Sequence, residues 1–249
     1  ARAEVRASVA RAEVPASLAR VEVNDEAMGT TFSVVAYGDD RAHLERAAAA
    51  AMDEVHRLEA LLSNYQPTSE WSRINRGAAA APVIASPELF TLLEACLAYS
   101  AASDGAFDIT VGPLMKVWGF YKGEGQLPRA ADIAAAMARV GYRHVALDHA
   151  TRAVRFDAPG VEMDPGGIGK GYAVDRMVDV LKARGITIAK VSAGGSSIFG
   201  LGAPPDEPRG WPVPIRAPGS TTDIAANVFL RDTSISTSGS YEKFFWADG

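Results

Sequence analysis

The segment "VEMDPGGIGKGYAVD" (residues 161–175) has the composition of a binding site for an anion. Glycines allow the backbone to approach a ligand closely, and free amides at the start of a helix attract negative charge. Apolar residues at helical spacing, from Ala173 to Leu181, predict a helix directly after the glycines. Lys170 would then lie in the first turn, where its charge opposes the helix dipole, so an anion beside it would explain its position. The alternative is an ordinary glycine-rich turn with a solvated lysine.

Two nucleotide-binding motifs do not fit this segment. The phosphate-binding loop G-x-x-x-x-G-K-[ST] requires a glycine and a hydroxyl at positions where this chain has Asp164 and Gly171. The dinucleotide motif G-x-G-x-x-G fails at its last spacing after Gly167 and Gly169. A P-loop kinase or NTPase is therefore disfavoured.

Four other segments offer contacts to a ligand. A second glycine turn, "SAGGSSIFG" (192–200), follows a predicted strand, and it either faces the same crevice as the first or is an ordinary tight turn. Asp108 lies among aromatic and β-branched residues, so it either caps a backbone turn or contacts a ligand. Tyr65 and Trp71 lie on a predicted polar loop, where their rings could either stack on a base or a flavin or pack on the protein's own core. The hydroxyl-rich segment 233–242 could hydrogen-bond phosphate or ribose.

The elements that must position these segments interleave helices and strands, which predicts an α+β fold or an α/β sandwich. Asp40 and Ser86 are good helix N-caps, and proline follows Ser86 at the first helical position. Predicted helices cover 40–62, 86–102 and 128–139, with a further helix from the glycine segment to Arg184. Predicted strands cover 28–37, 82–85, 144–148, 153–157, 187–192, 223–239 and 241–246, with a proline-rich loop over 203–218.

The two ends of the chain carry different signals. Residues 1–26 are rich in alanine and arginine without a clear period, which predicts a loosely ordered arm before a single domain over 27–249. The last residues, "YEKFFWADG", form a predicted strand followed by the hairpin-turn signal Asp248-Gly249. Since no partner strand follows, the sequence predicts a chain cut at a hairpin tip.

Bulk composition excludes several classes of protein. With 48% hydrophobic and 22% charged residues, the 249-residue chain has an ordinary globular composition. The net charge of −5 and the lack of a basic patch argue against a nucleic-acid partner. No apolar run is long enough to predict a transmembrane segment, and the single cysteine, Cys96, excludes an internal disulfide framework. The four histidines show no metal-binding spacing.

The order of six segments resembles the flavin transferases of the ApbE type, which are FAD:protein FMN transferases. The resemblance runs from about Ala27 to the last residue, and its most diagnostic part is 163–175. The six segments are "AMGTTFSV", "LSNYQPTSEWSRINR", "DGAFDITVGPL", "MDPGGIGKGYAVD", "SAGGSSIFG" and "TSISTSGSYEKFF".

The resemblance implies a fold and a reaction. FAD would lie in a cleft between a larger lobe, built as a layered core of sheet and helices, and a second, smaller lobe. With Mg²⁺ the enzyme would split the pyrophosphate of FAD, join FMN to a Ser or Thr of a target protein and release AMP. Some family members instead hydrolyse FAD to FMN and AMP. Most are exported, which implies a periplasmic or otherwise exported location.

The resemblance also implies site residues in this chain. Tyr65 would be the stacking ring, Asp108 would hydrogen-bond the polar edge of FAD, and Gly167 would offer Mg²⁺ a backbone carbonyl. No catalytic residue is assigned. The implied FAD contacts are Met28, Tyr65, Ala106, Phe107, Asp108, Asp164, Lys170, Thr237, Ser238 and Gly239.

Two later segments of the family pattern do not occur in these 249 residues. They carry the histidine proposed as catalytic and the aspartate and hydroxyl that hold magnesium. The sequence therefore predicts an active transferase whose C-terminal part is missing. The alternatives are a FAD-binding pseudo-enzyme, a flavin-holding protein without the metal half-site, and a FAD pyrophosphatase.

Overall fold

The computed structural model describes residues 18–123, 125–220 and 222–239. The predicted strand 241–246, the Asp248-Gly249 turn and the first 17 residues of the predicted arm lie outside these ranges. The helices are α1 Arg41–Leu62, α2 Glu70–Gly77, α3 Pro87–Ala102, α4 Gly112–Val117, α5 Ala130–Met137 and α6 Gly169–Ala183. The strands are β1 Ala19–Ala27, β2 Thr30–Gly38, β3 Val83–Ile84, β4 Val145–Asp148, β5 Ala153–Phe156, β6 Ile188–Ala193, β7 Ser197–Leu201, β8 Trp211–Arg216, β9 Ile224–Leu230 and β10 Thr233–Ser236.

The larger core is built on a five-stranded antiparallel sheet with the strand order β1-β2-β6-β7-β10. Helices α1 and α6 pack on one face of this sheet. Asp40 caps α1 as predicted, since its carboxylate accepts hydrogen bonds from the amides of Ala42 at 2.9 Å and His43 at 3.2 Å. Apolar side chains at helical spacing along α1, from Leu44 to Leu62, are buried. The mixture of helices and antiparallel sheets confirms the predicted α+β class.

A second core lies beside the first. It contains α2, α3 and the three-stranded sheet β3-β5-β4, and its largest fully buried side chains include Trp71 and Phe156. Ser86 caps α3 as predicted, by accepting from the amide of Leu89 at 3.4 Å. Met28 and Tyr172 pack against both cores. These two side chains therefore lie at the junction from which a cleft would open.

The prediction of a loosely ordered N-terminal arm is wrong for residues 19–26. Residues 19–27 form β1, which pairs with β2 along its whole length from Ala19↔Gly38 to Ala27↔Thr30. The alternation of buried and exposed residues along β1 is weak, because only Val21 and Ala27 are buried. A polar edge strand of this kind is specified by its partner strand rather than by its own pattern.

The proline-rich loop predicted over 203–218 contains a strand. β8 pairs with β9 on the outer face of the large sheet, where Trp211 and Val213 are buried. Pro212 and Pro214 alternate with those residues and are exposed. Proline is tolerated there because β8 has a strand on one side only in the described part of the sheet.

The single strand predicted over 223–239 is two strands. β9 ends at Leu230 and β10 begins at Thr233, and Asp232 between them adopts φ +53°. The Asp232 carboxylate accepts a hydrogen bond of 2.8 Å from the amide of Gly202. Aspartate tolerates the left-handed conformation better than most residues, so it can redirect the chain between the two sheets.

An ionic network connects α1, α3 and α6. The Arg57 guanidinium donates to both carboxylate oxygens of Glu88 at 2.7 Å and to both of Glu54 at 2.8 Å. Tyr172 donates to Glu88 at 2.9 Å, and the Arg176 guanidinium lies 3.5 Å from Glu54. Hydrogen bonds from Arg57 hold the pKa values of both glutamates below their usual range, against the opposing effect of burial.

This network predicts a loss of stability in acid. A carboxylate whose pKa is lowered by folding stabilises the protein above its unfolded-state pKa, about 4.3 for glutamate, and loses that contribution as the pH falls. Two partly exposed pairs contribute about 1 kcal/mol together. The free energy of unfolding, measured in urea between pH 7 and pH 3, should therefore fall more steeply with decreasing pH for the parent protein than for Arg57→Met. Parallel pH curves would contradict this prediction.

The structure also bears on the single cysteine and on whether any helix could span a membrane. Cys96 is fully buried, and burial raises the pKa of its thiol to about 12, so it is not a nucleophile at neutral pH. Among the described residues, no helix is both long enough and apolar enough to cross a membrane.

Candidate functional site

The glycine segment is held in place by α2. The carbonyl of Met163 accepts hydrogen bonds from Trp71 Nε1 at 3.0 Å and from Asn75 Nδ2 at 2.8 Å, and the Met163 amide donates to Asn75 Oδ1 at 2.9 Å. The prediction of a polar loop at Trp71 is wrong, because the residue lies in a helix. Of the two roles that the sequence allows for its ring, the structure shows packing in the core, since Trp71 is 0% exposed. Its indole positions the backbone immediately before Asp164.

Asp164 is the most enclosed of the predicted ligand residues, at 7% exposure. Its Oδ2 accepts hydrogen bonds from Tyr121 at 2.7 Å and from Asn64 Nδ2 at 2.9 Å, and its Oδ1 accepts from the amide of Gly166 at 2.7 Å. The buried Oδ1 of Asn64 has no hydrogen-bond partner among the described residues. Asn64 thus gives up one hydrogen bond to direct its amide donors at the carboxylate and the phenol.

Asp108 organises the protein itself. Its Oδ1 accepts hydrogen bonds from the amide and hydroxyl of Thr110 at 2.7 and 2.6 Å, and its Oδ2 accepts from the amide of Tyr142 at 2.6 Å. Of the two roles that the sequence allows, the structure shows the capping of a turn. Direct contact with FAD stays a prediction. The carbonyl of the next residue, Ile109, accepts from the amide of Asp164 at 2.6 Å, so the two acidic segments are adjacent.

Phe107 lies against the glycine turn. A methyl group added at Gly167 would be 3.2 Å from Phe107 Cε2, and one added at Gly166 would be 2.7 Å from Asp164 Oδ1. Only glycines allow this approach of the turn to its neighbours. Gly167 and Ala106 are exposed, as a backbone contact with a ligand requires.

The first turn of α6 brings two more predicted residues together. Lys170 Nζ donates to Ser196 Oγ at 2.9 Å, and the amide of Thr237 donates to the carbonyl of Ser196 at 2.8 Å. The predicted second glycine turn therefore lies between Lys170 and the hydroxyl-rich segment. Ser238 and Gly239 follow Thr237 and are exposed. The first turn of α6 contains no acidic residue.

Of the two glycines in the β6–β7 turn, Gly194 has less room for a side chain than Gly195. Gly194 and Gly195 have φ +57° and +66°. A methyl group at Gly194 would overlap Thr30 Oγ1, whereas one at Gly195 would have no described atom within 4 Å. We expect Gly194→Ala to lower the free energy of unfolding by about 2 kcal/mol and Gly195→Ala by about 1 kcal/mol. Thr30→Ala combined with Gly194→Ala should recover the difference. Equal losses in denaturant melts would show that the close contact is unimportant.

Met28 occupies the β1–β2 turn. Met28 and Gly29 have φ +51° and +68°, the conformation of a two-residue hairpin loop that normally favours Asn-Gly. The Met28 amide donates to Glu59 Oε1 at 2.7 Å, which fixes the turn on α1. A methionine in a left-handed conformation is uncommon, and its side chain is thereby directed to the junction of the two cores.

A cavity of about 480 Å³ opens beside Tyr65, a size within the range of small-molecule sites. Tyr65 is 71% exposed, and its ring meets the ring of Tyr121 edge-to-face at a centroid distance of 5.9 Å. Cationic and acidic groups are both present on its walls. The lining residues are Asn64, Tyr65, Pro67, Ser72, Asn75, Arg76, Lys116, Tyr121 and Glu162.

Magnesium does not find a complete set of ligands in the described part of the chain. Those residues contain no group of three or more His, Cys, Asp or Glu side chains that could hold a metal ion. Gly167 offers a backbone oxygen three residues after Asp164, whose carboxylate oxygens are already engaged by protein donors. The described residues alone therefore do not form a magnesium centre.

The histidines lie away from this site. His43 contacts the carbonyl of Arg184, and His56 contacts the carboxylate of Asp25. His144 contacts Asp157, and His149 contacts Glu94. None of these partners belongs to the glycine segment or to the walls of the cavity beside Tyr65.

The site thus consists of three connected groups on one loop. Asp164 begins the loop beside the cavity, Gly167 packs on Phe107, and Lys170 ends it beside Ser196. Sequence reasoning missed Asn64 and Tyr121. The only local signal for Asn64 is its position next to Tyr65, and for Tyr121 it is an aromatic run between glycines.

The described residues form an α+β architecture in which a glycine turn leads into a helix, close to a cavity lined in part by Tyr65 and Tyr121. A sequence model of the ApbE family matches residues 28–249, so the chain belongs to the ApbE family. The "FAD:protein FMN transferase" of Klebsiella pneumoniae is 32% identical over 223 residues, which cover 89% of this chain and 67% of the relative. The protein of the same name from Treponema pallidum is 34% identical, over 84% of this chain and 63% of the relative. The chain thus spans about two thirds of the length of the curated relatives it matches.

Solved structures agree with the family assignment. The ApbE protein of Thermotoga maritima superposes with a TM-score of 0.84 at 29% identity, over 93% of this chain and 74% of that one. The apo form of the Pseudomonas stutzeri flavinyl transferase ApbE superposes with a TM-score of 0.80 at 31% identity, over 93% and 72%.

Proposed function

We propose that this protein is a magnesium-dependent FAD:protein FMN transferase. The observation that carries the proposal is the loop 164–170, which joins an enclosed aspartate beside an aromatic cavity to a lysine at a helix start, in a chain that belongs to the ApbE family. The names of the relatives support FAD as the substrate and a protein as the acceptor.

The site divides naturally between the parts of a flavin dinucleotide. Tyr65 offers a ring face at the cavity for a planar ring system. Lys170 and the amides at the start of α6 suit the pyrophosphate, whose negative charge they would stabilise. The oxygen of an acceptor Ser or Thr attacks the phosphorus of the FMN half, and the bond to the AMP phosphate breaks. AMP leaves, and the hydroxyl proton passes to solvent.

Magnesium dependence rests on the family resemblance and on the exposed position of Gly167. A periplasmic location remains a prediction from the same resemblance.

Incubation of the purified protein with FAD and MgCl₂ tests the proposal. We expect AMP release, measured by chromatography, with FMN attached to an added Ser- or Thr-bearing acceptor, and we expect EDTA to abolish both. Free FMN in place of attached FMN would identify a pyrophosphatase. Tight FAD binding without AMP would identify a flavin-holding protein, and no FAD binding would refute flavin function altogether.

A further inference from the structure

Tyr121 lies outside every segment that carries the family resemblance. It occupies the 3₁₀ turn Phe120–Lys122, which is flanked by Gly119 and Gly123 at φ +73° and +77°. The amide of Gly123 donates to the carbonyl of Phe120 at 3.1 Å, which closes the turn. The turn therefore presents Tyr121 in a defined orientation rather than on an irregular loop.

Three contacts connect Tyr121 to the candidate site. Its hydroxyl donates to Asp164 Oδ2 at 2.7 Å and accepts from Asn64 Nδ2 at 3.3 Å. Its ring meets the ring of Tyr65 edge-to-face, with an interplanar angle of 83°. One side chain thus touches both the carboxylate at the start of the glycine loop and the exposed ring at the cavity.

The direction of the hydrogen bond to Asp164 is fixed. Burial, followed by the nearby Asp164 carboxylate, raises the pKa of Tyr121 above its ordinary value, so the phenol is protonated at neutral pH. A carboxylate has no proton to donate, so Tyr121 is the donor. Hydrogen bonds to a charged acceptor are the stronger kind, and this one restricts the orientation of the carboxylate.

We infer that Tyr121 is a positioning residue for FAD, which orients Asp164 through its hydroxyl and Tyr65 through its ring. The inference rests on the proposed function, because it names a further determinant of the same site. Its two parts separate chemically, since the hydroxyl can be removed without the ring. Without the hydroxyl, Asp164 would retain Asn64 and the amide of Gly166 as donors but would be less restricted.

Titration of flavin fluorescence tests both parts. We expect Tyr121→Phe to weaken FAD binding about tenfold while the quenching of flavin fluorescence at saturation stays as in the parent, because the ring still supports Tyr65. Tyr121→Leu should weaken binding further and reduce the quenching. Tyr37→Phe is the matched control, because Tyr37 packs on Trp211 on the outer face of the large sheet and should leave binding unchanged.

A double-mutant cycle identifies the route of the effect. If the hydroxyl acts through Asp164, Tyr121→Phe should have no further effect on FAD affinity in an Asp164→Asn background. Additive losses, or a Tyr121→Phe protein that binds FAD like its parent, would overturn the inference alone. If the parent protein does not bind FAD, the proposed function fails together with it. Circular dichroism of each variant separates loss of binding from loss of folding.

Discussion

Replacement of Trp71 by alanine is expected to lower the free energy of unfolding by about 3–5 kcal/mol. The indole is fully buried in the second core, and its Nε1 donates to the Met163 carbonyl at 3.0 Å. Alanine would leave a cavity and remove one of the two donors to that carbonyl. Chemical denaturation followed by circular dichroism measures this loss.

Trp211 provides a matched control, because it is also buried and its indole also donates to a backbone carbonyl. It is 4% exposed, and its Nε1 donates to the carbonyl of Leu201 at 3.0 Å. Trp211 lies on the outer face of the large sheet, away from the glycine segment. Alanine at either position should therefore cost a similar amount of stability.

The milder changes Trp71→Phe and Trp211→Phe separate stability from binding. Both remove an indole donor and keep an aromatic ring, so both proteins should fold. Only Trp71→Phe should weaken FAD binding, because only the Met163 carbonyl adjoins Asp164. Equal FAD affinities in the two variants would mean that α2 supports the fold without positioning the site.

The parts of the fold that the sequence predicts are those specified locally. The caps Asp40 and Ser86 and the apolar periodicity of α1 lie within a few residues of the helices they define. Helix α2 was missed, although Ser69 caps it and Trp71 and Ile74 recur at helical spacing. Eight polar-rich residues are a short window for a periodicity, so the pattern leaves open whether Trp71 is exposed or packs on the core.

The parts of the site that the sequence does not predict depend on tertiary contacts. Asn64 and Tyr121 are 100 and 43 residues from Asp164 along the chain, yet both donate to the same carboxylate oxygen. The role of Asp108 was open for the same reason, since Tyr142 reaches it only through folding. A single sequence shows which side chains can hydrogen-bond, but not which of them the fold brings together.

The prediction with the most direct bearing on function is Lys170→Met. Methionine keeps most of the side-chain volume and removes the charge, so FAD affinity should fall about 10- to 100-fold, as for loss of a hydrogen bond to a charged group. Folding stability should change by no more than about 1 kcal/mol. Loss of the hydrogen bond to Ser196 destabilises the protein, but removal of a cation from the start of α6 relieves its opposition to the helix dipole.

Lys182→Met is the matched control on the same helix. Lys182 lies in the last turn of α6, where a cation is favourable to the dipole, and its ammonium lies 5.4 Å from the centre of the Phe199 ring. Its removal should lower stability slightly and leave FAD affinity unchanged. The two lysines thus predict opposite patterns in binding titrations and thermal melts. An ordinary solvated lysine at position 170 would give neither the loss of affinity nor this contrast, and the glycine turn before it would then be structural only.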